Sequence, residues 1–111
     1  MQKGDVYLVD LNPVVGSEQA GMRPVVIVQN AIFNKLTRTV VVVPFTTNLK
    51  RAKLPSAVLI PKDEGGLDRD SVALCHQVRV LDKSRLRDQL GTISAETLAK
   101  IDETLAFVLD M

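Results

Sequence analysis

The sequence has one cysteine, one histidine and no tryptophan among its 111 residues. The lone Cys75 excludes an internal disulfide and a cysteine-based metal cluster. The lone His76 excludes an acid–base pair of histidines, and no set of His, Cys and carboxylate residues falls at zinc spacing. No Gly-rich segment opens a helix as phosphate-binding loops do, and no Gly-x-Ser-x-Gly elbow occurs. Neither metal nor cofactor is therefore expected. Tyr7, Phe33, Phe45 and Phe107 are the only aromatic residues, which leaves little on which bases could stack. No apolar run approaches the roughly 20 residues of a membrane helix. Met1 to Asp5 runs straight into a strand-like segment without signal-peptide architecture. A cytoplasmic protein with no membrane partner is expected.

What is present is a hydrophobic fraction of 46% against 24% charged residues, enough for one compact domain spanning 1–111. The net charge of +1 hides a strong asymmetry. Residues 1–18 balance at −2, residues 63–111 at −4, and residues 19–62 carry seven cations and no acid. Such a segment suits a polyanion, or equally a basic face that offsets acids elsewhere.

Val6–Leu11 reads as a strand buried on both faces, stopped by Asn12-Pro13. A polar loop, Val14–Met22, follows. Pro24 opens a second strand that runs to Gln29. Asn30–Arg38 reads as a turn or a helical turn. Thr39–Val43 is wholly β-branched and is the strongest strand signal, with Pro44 ending it. Ser56–Ile60 is a further strand, Lys62–Asp70 a turn around Gly65-Gly66, and Ser71–Leu81 a long strand. Asp82 caps a short helix that Gly91 ends. Ser94 caps the last helix, with Leu98, Ile101, Leu105 and Val108 on one face. Short strands punctuated by Pro and Gly imply a small closed or partly closed barrel. The class is α+β, mainly β, with a C-terminal α-helix.

The polar residues beside these buried strands are few. Ser17, Glu18, Gln19 and Arg23 lie in or at the end of the loop. Thr46, Thr47 and Asn48 follow the third strand. His76, Gln77 and Arg79 interrupt the long one. Arginine matches a phosphate through its planar, permanently charged fork. A threonine hydroxyl beside it can hold a phosphoryl oxygen, and the two could stabilise the extra charge of a phosphorane without metal. Each residue also has a plainer reading. Arg23 and Arg79 could form structural ion pairs, Thr46 and Thr47 could be turn residues, His76 could be half-buried in its strand, and Cys75 could be a small core residue.

The blocks Gly4-Asp5-Val6-Tyr7, Gly16-Ser17-Glu18-Gln19-Ala20-Gly21-x-Arg23-Pro24-Val25, Val43-Pro44-Phe45-Thr46-Thr47 and Asp70-Ser71-Val72…Gln77-Val78-Arg79…Asp82-Lys83-x-Arg85-Leu86 span nearly the whole chain. In this order they resemble the MazF/PemK family of toxin endoribonucleases. The resemblance implies an SH3-like barrel that forms a homodimer. It implies metal-independent cleavage of single-stranded RNA to 2′,3′-cyclic phosphate and 5′-hydroxyl ends, and a cognate antitoxin that covers the active face. By position it implies Arg23, Thr46 and Glu18 as catalytic residues. Ser17, Gln19, Thr47, His76 and Gln77 would bind substrate, and either Glu18 or His76 could take the 2′-hydroxyl proton. One branch of the family uses an Arg and an acid where this chain has Leu74 and His76, so the burden here shifts to Arg23 and Thr46. Two other readings stay open: a gyrase-poisoning toxin on the same fold, and a noncatalytic RNA-binding barrel.

Overall fold

A computed structural model describes residues 1–111. Seven strands and two α-helices follow in the order β1 (Asp5–Asp10), β2 (Met22–Ile27), α1 (Ala31–Leu36), β3 (Thr39–Thr46), β4 (Ala57–Ile60), β5 (Ser71–Leu74), β6 (Arg79–Asp82), β7 (Leu86–Thr92) and α2 (Ala95–Val108). The strands form one antiparallel sheet in the order β4-β5-β3-β2-β1-β7, with β6 on the first half of β3. The mainly β, α+β class with a C-terminal helix is as expected. The end strands β4 and β7 do not pair, so hydrogen bonds do not close the sheet into a barrel. In place of a closing ladder, the 3-10 turn Glu64–Gly66 lays its backbone against Leu90 and Gly91 of β7, and α2 packs on β4.

Alternate residues of a strand face opposite sides, and both sides of this sheet are filled. One side holds Val26, Val43, Phe45, Ala73 and Ile60, over which α2 lays Ile101 with Leu98, Leu105 and Val108. The other holds Val9, Leu11, Val25, Ile27, Val40, Val42 and Leu81. Helix α2 starts as its sequence dictates: the Ser94 hydroxyl accepts from Thr97 N at 3.1 Å. In α1, the Asn30 side chain accepts from Ile32 N at 2.9 Å.

Four expectations are corrected. Strand β2 begins at Met22, so Pro24 is its third residue. Pro44 does not end β3, which continues to Thr46. Its missing N–H faces the gap on β3 between β6, whose pairing ends at Val42↔Arg79, and β5, whose pairing starts at Phe45↔Ala73. No ladder bond is lost there. The long strand from Ser71 to Leu81 is two strands, β5 and β6, split by the 3-10 turn Cys75–Gln77 that fills this gap. Finally, the helix expected after Asp82 is one 3-10 turn, Lys83–Arg85, followed by β7. Asp82 does cap, accepting from Ser84 N at 2.9 Å. The chain then extends because β1 needs a second partner, which Leu86, Gln89 and Gly91 supply opposite Val9, Tyr7 and Val6.

Candidate active site

The register of β2 on β3 builds the centre of the site. Val25 lies opposite Pro44 and Val26 opposite Val43, so two residues further along the same register Arg23 lies opposite Thr46. Cross-strand partners share a face. Arg23 and Thr46 therefore continue the face that buries Val25 and Val42, at the end where the core stops. Arg23 and Thr46 are the Arg–Thr pair expected from the sequence; the strand register that sets them side by side is not readable there.

Arg23 is half-buried and has no carboxylate partner. The only salt bridges in the chain are Lys3–Asp102 and Lys100–Glu96. Its Nε donates to Ala20 O at 3.1 Å, which leaves the two terminal nitrogens free. The ion-pair reading of Arg23 is thereby excluded. Thr46 is buried, and its Oγ1 accepts from Asn48 N at 3.2 Å. That bond is the turn chemistry expected of it, and it leaves the hydroxyl proton available to donate.

The pair lines one recess, and the loop that precedes Arg23 borders a second. The larger, about 460 Å³, is lined by Arg23, Thr46 and Thr47 with an apolar floor of Leu8, Phe45 and Leu67. Asp68 and Arg69 form its far rim. The sequence reading passed over both, since Lys62–Asp70 carried only turn signals. The smaller, about 200 Å³, is lined by Glu18, Gln19, Pro44, His76, Gln77 and Arg79. Ser17 joins Glu18, His76, Gln77 and Arg51 on its outer side. The expected site residues thus fall into two neighbouring groups: Arg23, Thr46 and Thr47 in one, and Ser17, Glu18, Gln19, His76 and Gln77 in the other.

The loop between β1 and β2 ties the groups together. Gln19 N donates to Gln77 Oε1 at 2.7 Å, and Gln77 Nε2 donates to Ser17 O at 3.4 Å. Gln19 Nε2 donates to Phe45 O at 3.4 Å. The Glu18 carboxylate accepts from Val15 N within the loop. His76 does not touch Arg23; its Nδ1 pairs with Ser56 Oγ at 2.8 Å. Cys75 is fully buried, as expected of a small core residue, and burial pushes its thiol up to about 11. No group of three or more His, Cys, Asp or Glu side chains is placed to hold a metal ion.

A family model described as the PemK-like, MazF-like toxin of type II toxin–antitoxin systems matches residues 2–109. The chain belongs to this family. Within the PemK/MazF-like proteins it is 45% identical over 109 residues to endoribonuclease EndoA of Bacillus subtilis (strain 168), covering 98% of this chain and 94% of that protein. Its fold superimposes on MazF from Deinococcus radiodurans with a TM-score of 0.87 at 29% identity, covering 100% and 97% of the two chains. It also superimposes on a mycobacterial endoribonuclease solved with its cognate antitoxin, with a TM-score of 0.84 at 30% identity, covering 100% and 96%. The four sequence blocks that carried the family resemblance all lie inside the matched range.

Proposed function

We propose that this PemK/MazF-like toxin is a cytoplasmic endoribonuclease that cuts single-stranded mRNA, in which Arg23 and Thr46 bind the scissile phosphate. The observation that carries the reading is the pair itself: an uncompensated guanidinium directly across the sheet from a hydroxyl with its proton to give.

The RNA 2′-hydroxyl attacks its own phosphorus, the O2′–P bond forms, and the P–O5′ bond breaks. The terminal nitrogens of Arg23 and the Thr46 hydroxyl donate to the non-bridging oxygens, which carry the extra charge of the phosphorane. An arginine holds its proton too tightly to be an efficient acid, its pKa exceeding about 12. Its work is electrostatic, and the 5′-oxygen takes its proton from water. Glu18, on the loop beside the pair, accepts the 2′-hydroxyl proton. His76, tied to Ser56, borders the groove with Ser17, Gln19, Thr47 and Gln77 and contacts the nucleotides next to the cut. No step draws on a metal or cofactor. The products are a 2′,3′-cyclic phosphate and a 5′-hydroxyl end.

The active unit is a homodimer, supported by the apolar outer face of α1, where Ile32, Phe33 and Leu36 are all exposed. A cognate antitoxin covers the Arg23 face and keeps RNA out. Incubation of the wild-type protein with a long RNA in excess chelator tests the reading. Cleavage should persist, and Arg23→Ala and Thr46→Ala should each lower kcat by about 10²-fold or more. Cleavage by Arg23→Ala at the wild-type rate would sink the role given to Arg23. Gyrase inhibition with RNA left intact, or RNA bound and never cut, would sink the enzyme.

A further inference from the structure

Arg79, like Arg23, could have formed a structural ion pair, and it has none. It lies opposite Val42 on β3. Val42, Pro44 and Thr46 alternate along one strand and share a face, so Arg79, Thr46 and Arg23 stand on the same side of the sheet. Four residues separate Val42 from Thr46, about 13 Å at the usual rise per residue. Arg79 also lies on the opposite flank of β3 from Arg23, a further two strand spacings of about 5 Å each. One side-chain contact is recorded for it, a long bond from Nη1 to Leu11 O at 3.5 Å. Half-buried, Arg79 lines the smaller recess with Glu18, His76 and Gln77.

A half-buried cation with no salt-bridge partner, in a recess whose Gln19 bonds Phe45 of the recess that holds Arg23 and Thr46, fits an anion brought by the ligand. We infer that Arg79 is a second phosphate clamp, gripping an RNA phosphate that flanks the scissile one and fixing the strand's direction through the groove. Arg79 is thus a positioning residue. It is too far along the sheet to share the phosphate held by Arg23 and Thr46. The inference rests on the proposal that this face binds RNA.

The test uses an RNA with a 2′-deoxy sugar at the cut position, so that binding is read without cleavage. Its affinity for wild type, Arg79→Ala and Arg79→Lys is measured over a range of salt. Each phosphate contact to a single strand contributes about 0.7 to the slope of log K against log salt. Arg79→Ala should flatten the slope by about 0.7, and Arg79→Lys should restore most of it. With cleavable RNA, the loss should fall on KM, about tenfold, with kcat held within about twofold. A purely structural role would weaken folding and leave the slope alone. An unchanged slope, or a loss confined to kcat, would overturn the inference. If wild type binds RNA with the expected slope change but never cuts, the enzyme reading fails and the Arg79 clamp stands.

Discussion

Pro24 has no N–H, and the register places it opposite Phe45. The Phe45 carbonyl, left without its ladder donor, is met by the Gln19 side-chain amide. A proline in an interior strand thus supplies the attachment point for the loop between β1 and β2, because buried carbonyls need partners. The loop itself is mostly exposed and is held by these polar tethers rather than by burial. Cys75, in the turn that fills the gap Pro44 faces, shows the contrary case of a reactive type made inert. Burial raises its thiol to about 11 from 9.0. The unfolded thiol therefore ionises first, and whatever stability the buried thiol contributes is intact below pH 9 and is lost as pH rises toward 11. At pH 8 the native thiol should resist alkylation, while urea should release a fast reaction. Rapid native labelling, followed by absorbance or mass, would contradict its burial.

At the scale of elements, the turn Glu64–Gly66 replaces a closing strand and depends on two glycines. A Cβ on Gly66 would lie 1.9 Å from Leu90 O, and its φ is +76°. Gly16 has φ +59° with nothing within 4 Å. Gly66→Ala should cost upwards of about 3 kcal/mol, since backbone must move. Gly16→Ala should cost only about 1 kcal/mol for its left-handed backbone. Urea unfolding of the two variants checks the contrast; equal losses would mean the Leu90 contact is soft. The same turn marks where sequence reading stops. Helix α2 was legible because Ser94 and the spacing of Leu98, Ile101 and Leu105 are local signals. Strand β7 was not, because its cap at Asp82 is genuine while its extended state comes from β1, nearly eighty residues earlier in the chain. Pro44 misled for the same reason: whether a missing N–H matters depends on which strand lies beside it. Arg23 and Thr46 were legible singly, by residue type and by the family blocks. Their place side by side across β2 and β3, and the line to Arg79, follow from a register that no local pattern contains.

At the scale of the whole molecule, the seven cations of residues 19–62 do not form one patch. Arg23 and Arg51 line recesses at the site, and Lys50 and Lys53 share the 3-10 turn of Arg51, whereas Lys35 lies in α1 and Arg38 just after it, beyond the other end of β2. That far end has its own peculiarity. Helix α1 buries Asn34 and exposes Ile32, Phe33 and Leu36, at 68, 53 and 73%. Asn34 is turned inward because it accepts from Gln29 Nε2 at 2.9 Å and its carbonyl accepts from Lys83 Nζ. The helix is therefore amphipathic in the inverse sense, polar inward and apolar outward. A six-residue helix gains nothing from presenting three large apolar side chains to water, which is the face the proposed homodimer would cover. Phe33→Asp or Leu36→Asp should shift sedimentation from dimer to monomer at micromolar concentration. Folding should be retained, because neither side chain is part of the core. RNA cleavage should fall with the dimer and recover at higher protein concentration. A wild-type protein that sediments as a monomer at every concentration would assign the face to another partner, and a variant that stays dimeric would move the interface off α1.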